Sequence, residues 1–108
     1  MSSIRETIEC EVTGWPGVEA GVHRFGGVEF RIDGHEIGHL HGERMADFPF
    51  PVRKRKELVE SGKAQRHHVL PQTGWVSYYL RGQEDVAGAL DLFRQNYERL
   101  TARKRARA

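Results

Sequence analysis

The chain has 108 residues, 38% hydrophobic and 30% charged, with a net charge of +2 and an isoelectric point near 8.9. This suits one folded domain rather than a disordered chain. Apolar runs fall short of the ~20 residues of a membrane span, and the N-terminus MSSIRETIEC lacks the basic-then-apolar pattern of a secretory signal. The lone Cys10 excludes an internal disulfide or a multi-thiolate zinc site. A cytoplasmic location is therefore expected.

Ser3 and Glu6 stand at capping-box spacing, and Ile4, Ile8 and Val12 follow every fourth position, which predicts a helix over 3–14. Gly14 and Pro16 end it. Cys10 lies between Glu9 and Glu11, whose negative charge opposes a thiolate, and it is expected to be buried and inert. Three strands follow in VEAGVHRF, VEFRID and HEIGHLH, with Val28, Phe30 and Ile32 alternating against charged neighbours. Asp33-Gly34 supplies a type I′ hairpin turn. That turn sets Ile32 opposite His35, Phe30 opposite Ile37, and Arg31 opposite Glu36 as an ion pair. His39 and His41 then join Phe30 on the apolar face, unless a bulge at Gly38 reverses the end of the strand.

GERMADFPFP, with two prolines, reads as a loop. Pro51 opens a short helix over about 51–61 with Val52, Leu58 and Val59 on its apolar side, closed by Gly62. AQRHHVL and WVSYYL form the fourth and fifth strands around PQTG, with Leu70 expected opposite Trp75. In that register His68, Leu70, Trp75, Ser77 and Tyr79 share one face, and His67, Val69, Val76, Tyr78 and Leu80 the other. Val86, Leu90, Phe93, Tyr97 and Leu100 then mark an amphipathic helix over about 85–102, followed by a basic tail at 103–108. The fold class expected is α+β: a single domain over 1–102, a two-layer sandwich. Its antiparallel sheet of about five strands is covered by the N- and C-terminal helices.

The blocks WPGVEAGVHRFGGVEF, EIGHLHG, DFPFP, GKAQRHHVLPQTGWVSYYL and ALDLFRQNYERL, in this order, resemble the small "luciferase domain" proteins from Trp15 to Leu100. The family name implies no reaction for this chain, which shows no Gly-rich phosphate loop and no flavin site. More loosely, HHVLPQTGWVSYYL followed by a helix ending NYERL looks like the YjbR-like proteins. That likeness implies a frataxin-like α+β sandwich, sometimes described as a nucleic-acid-binding fold.

The chemistry-bearing residues are mostly histidines. An i, i+2 pair on a strand puts both rings on one face, so His39 and His41 can share a metal, with His67, His68 or Asp47 as a third ligand. The same pattern also fits histidines hydrogen-bonded at a sheet edge, or a metal-free acid/base or ligand site. The expected cleft comprises His39, His41, His67, His68, Asp47 and Trp75, takes a small molecule or metal ion, and has a divalent metal as its candidate cofactor. Ser77 or Thr73 near His67-His68 and Asp47 suggests a hydrolytic triad, but no nucleophile elbow accompanies it. A second reading is nucleic-acid binding through Arg53, Lys54, Arg55 and Lys56 with Trp75 and Tyr79 as stacking rings. A third is a protein-interaction subunit using the open sheet face or a strand edge. The sequence leaves the oligomeric state open.

Overall fold

The computed structural model describes residues 3–23 and 26–107, the Arg107 side chain excepted. The capping box forms as its spacing predicts: the Glu6 amide donates to Ser3 Oγ (3.1 Å) and the Ser3 amide to Glu6 Oε1 (3.2 Å). Helix α1 (Ile4–Thr13) starts there and buries Ile8 and Val12 completely. Cys10 is exposed, contrary to expectation. It follows Ile8 by two residues, about 200° round the helix, so the stripe that buries Ile8 turns Cys10 outward.

Among the described residues six strands form one antiparallel sheet: β1 (Val18–Val22), β2 (Val28–Ile32), β3 (His35–His41), β4 (Met45–Pro49), β5 (Gln65–Arg66) and β6 (Trp75–Tyr79). Their spatial order is β1-β2-β3-β4-β6-β5. Residues 24 and 25, at the end of the expected first strand, lie outside the described residues. Strand β4 replaces the expected loop and pairs on both sides, His39 against Asp47 and Asp47 against Ser77. Pro49 closes it, at a strand end where a missing N–H is tolerated.

Helix α2 (Val52–Glu60) follows Pro51, and α3 (Val86–Arg107) follows a short 3₁₀ turn, Gln83–Asp85. Val86, Phe93, Tyr97 and Leu100 are buried along α3 as the periodicity predicts. Ala89, Leu92 and Asn96 complete the buried face, and Leu90 is half-buried. Phe93 sits edge-on to Phe30 (5.3 Å between centroids) and Phe48 (4.6 Å), so three aromatic rings centre the core beneath β2, β3 and β4. Leu58 of α2 enters the same core, which places α1, α2 and α3 on one side of the sheet. Among the described residues no helix is long and apolar enough to cross a membrane.

The hairpin turn forms, with Asp33 at φ 52° and Gly34 at φ 80°, and it pairs Ile32 with His35 and Arg31 with Glu36. The register then shifts: Phe30 lies opposite Gly38, not Ile37, and Ile37 is the extra residue of a bulge. The bulge sends Ile37 and Leu40 into the core and turns His39 and His41 to the helix-free face, correcting the placement expected from simple alternation. Gly38 is the residue that allows it. A Cβ there would lie 2.7 Å from Phe48, 2.9 Å from Phe93 and 3.0 Å from the Asp47 carbonyl.

Asn96 secures the bulge from below, its Nδ2 donating to the Ile37 carbonyl at 2.8 Å. Continuing the β3–β4 register sets Pro49 opposite Ile37, and a proline has no N–H to offer. The helix side chain supplies the donor that the strand lacks.

Candidate functional site

With the bulge in place, one row of paired residues crosses the whole open face: Gly21, Glu29, His39, Asp47, Ser77 and Gln65. Alternation on β3 adds His41 beside His39. Four of the six expected site residues meet here. Around Asp47 Oδ2 lie His41 Nε2 at 2.9 Å, His67 Nε2 at 3.3 Å and His39 Nε2 at 3.4 Å. The two nitrogens of His39 and His41 are themselves 3.0 Å apart. Asp47, His39 and Ser77 are buried, while His41 is partly open to the cleft.

Each ring has a distinct proton arrangement. His39 Nδ1 meets Glu36 Oε2 at 2.5 Å, so this nitrogen carries a proton and leaves Nε2 directed at Asp47 and His41. Glu36 thus engages His39, while Arg31 meets Glu29 (3.4 Å) in place of the expected Arg31–Glu36 ion pair. His67 differs. Its Nδ1 accepts from the amides of Val69 (3.1 Å) and Leu70 (3.0 Å), so its proton resides on Nε2 and points to Asp47. The carboxylate is held from the other side by Ser77 Oγ, which donates to Oδ1 at 2.6 Å.

Burial opposes charge on His39, but hydrogen bonds to Asp47 and Glu36, and their negative charges, push its pKa up to about 9. Burial also opposes charge on Asp47. Hydrogen bonds from His39 and Ser77, with the neighbouring imidazoles, nevertheless hold it well below the usual carboxylate range. His67 is shifted down, chiefly by burial, which agrees with the neutral tautomer its backbone contacts demand. His23 stacks on His39 at 3.9 Å between centroids and is also shifted down by burial, then by His39.

His67 reaches the site from a loop. Strand β5 stops at Arg66, and Gln65 and Arg66 pair with Ser77 and Val76, so the expected Leu70–Trp75 pairing does not form. His68 is exposed; its ring stacks on His67 at 4.4 Å between centroids and its Nδ1 reaches Ser77 Oγ at 3.4 Å, at the outer edge of the cluster. Trp75 forms a wall, its ring 5.5 Å from His39 and 5.8 Å from His67. Together these groups line a cleft of about 770 Å³. Glu36, His23 and Glu29 complete its lining and Ser77 holds Asp47 from behind it; none of the four was among the expected cleft residues. The signal for Glu29 was its place opposite His39 on β2, and for Glu36 its place three residues before His39 on β3, both legible only once the bulge is known.

Ser77 does not suit a nucleophile, because it is buried and its proton is committed to Asp47. Of the four cations expected at a nucleic-acid surface, Arg55 is buried and donates to the carbonyls of Pro71 (2.8 Å) and Thr73 (3.0 Å). It anchors the loop that carries His67 and His68. Arg53, Lys54 and Lys56 lie on α2, on the helical side, whereas Trp75 and Tyr79 face the opposite side with the cleft.

Residues 34–96 match the Luciferase domain family. The chain belongs to that family. In this Luciferase domain protein the matched stretch carries His39, His41, Asp47, His67 and Ser77, and it starts after His23, which directly follows β1, and after β2, which supplies Glu29. No curated protein and no solved structure matches the chain.

Proposed function

We propose that this Luciferase domain protein binds a divalent metal ion through His39 Nε2, His41 Nε2 and Asp47 Oδ2. Its open coordination positions face the cleft and take a small ligand. One observation carries the reading: the three donor atoms form a triangle with edges of 3.0, 2.9 and 3.4 Å. Donors ~2.05 Å from a zinc-sized ion stand about 2.9 Å apart at octahedral angles and about 3.3 Å apart at tetrahedral ones. The triangle spans that range. Two imidazoles and a carboxylate on one face, with the other positions free, suit zinc, iron, nickel or manganese.

The surrounding contacts fit the same role. Glu36 fixes the His39 tautomer that leaves Nε2 to ligate, the carboxylate–histidine pairing common behind metal ligands. His67 supports Asp47 instead of ligating, because both of its nitrogens are already assigned, Nδ1 as acceptor and Nε2–H as donor. A metal held this way polarises a bound carbonyl or activates a bound water, so the cleft suits metal-assisted chemistry on a small molecule.

Calorimetric titration with zinc, nickel and manganese tests the reading. One saturable site is expected, weakened roughly 100-fold or more in His41→Ala and Asp47→Asn, and about 10- to 100-fold in His67→Ala. Equal affinity in wild type and His41→Ala would refute it.

A further inference from the structure

The described residues expose four large hydrophobic side chains: Val22 (88% exposed), Val69 (66%), Leu70 (45%) and Val52 (43%). Three of them, Val22, Val69 and Leu70, border the histidine cleft, Val22 from the end of β1 where it also borders the groove beside α1, and Val52 lies elsewhere. Scattered single apolar residues are ordinary on a protein surface, but a ring of them around one polar recess is not. Trp75 continues that apolar lining downward to His39 and His67. The recess therefore has two chemistries in depth, ligating nitrogen and oxygen atoms at its floor and hydrocarbon at its mouth.

We propose that the cleft takes a small amphipathic molecule, with an oxygen-donor head that completes the metal's coordination and an apolar body lodged between Val22, Val69, Leu70 and Trp75. The proposal rests on the metal reading above and names its substrate class. Depth favours a small molecule over a protein face, since a flat surface resting on the rim leaves the buried His39 and Asp47 untouched. The loop that supplies Val69 and Leu70 also holds His67 through their amides, so the apolar rim and the support of Asp47 belong to one segment.

The test uses the full chain loaded with zinc and a series of hydroxamic acids from aceto- to octanohydroxamate, followed calorimetrically. Metal uptake is measured first, without hydroxamate. Affinity is expected to rise about two- to fourfold per added methylene until the mouth is filled. Val22→Ser combined with Leu70→Ser should flatten that rise; zinc affinity of the same variant is measured alongside, and the serine keeps the residue-70 amide that donates to His67. Both side chains are exposed, so folding is not at issue. Normal zinc uptake with a flat chain-length series overturns this proposal alone. No zinc uptake overturns the metal reading, and this proposal with it. A dimer that becomes monomeric in the double variant, seen by light scattering, would instead assign the apolar rim to a second copy and overturn it as well.

Discussion

Replacing Asn96 with alanine probes how the helical layer sets the site on the opposite face. Asn96 is fully buried, its Nδ2 donates to the Ile37 carbonyl at 2.8 Å, and its Oδ1 accepts from Arg99 Nε at 2.8 Å. Truncation leaves the Ile37 carbonyl without its side-chain donor, and the facing Pro49 has no N–H to replace it. An unsatisfied buried acceptor costs ~1–3 kcal/mol, and the small void left behind adds about 1 kcal/mol. Asn96→Ala should therefore lose about 2–4 kcal/mol in urea unfolding, with an unchanged slope. Its bulge should also loosen, so zinc affinity should fall under conditions where the variant is still folded. Leu92→Ala serves as the control: it removes a buried side chain at ~2–5 kcal/mol but leaves the bulge carbonyl capped. A loss below ~0.5 kcal/mol in Asn96→Ala, or equal zinc affinity in the two variants, would refute the link between this side chain and the site.

Two further outcomes follow from the same geometry. Gly38→Ala should destabilise by ~1–3 kcal/mol or more, since its Cβ meets Phe48, Phe93 and the Asp47 carbonyl; thermal or urea unfolding checks this. His39, with its folded pKa raised to about 9, stabilises the metal-free protein fully below its unfolded pKa, and that contribution fades as pH rises through 9. Zinc must displace the same proton, so His39 should contribute roughly tenfold in apparent zinc affinity per pH unit between about 7 and 9. Competition titrations across that range measure the slope, and a flat profile would contradict the assignment.

Local signals in the sequence were strong where they depended on neighbours along the chain. Ser3 and Glu6 cap a helix by their own side chains, Asp33-Gly34 turns a hairpin, and the spacing of Val86, Phe93 and Tyr97 draws the buried stripe of α3. Signals that depend on a partner strand were hidden. β4 looked like a loop because MADFP carries a proline and a carboxylate, and Asp47 is at home mid-sheet only because His39, His41, His67 and Ser77 converge on it. The bulge was legible as a glycine but not as a fact, since its occurrence turns on Gly38 fitting under Phe48 and Phe93. His39, His41, Asp47 and His67 could be named as candidates from the sequence. That His67 commits its Nε2 proton to Asp47, while His39 engages Glu36 through Nδ1, required the backbone amides of Val69 and Leu70 and the Glu36 carboxylate.

X-ray absorption at the zinc edge of the loaded protein tests the central claim most directly, because it counts imidazoles around the ion. The account predicts a shell at about 2.0–2.1 Å with two imidazoles, a carboxylate oxygen and further oxygens from solvent. The imidazole count should fall to one in His41→Ala and stay at two in His67→Ala. A shell of oxygens alone would contradict the metal site itself. A third imidazole that disappears in His67→Ala would contradict the proton assignment that makes His67 a support for Asp47.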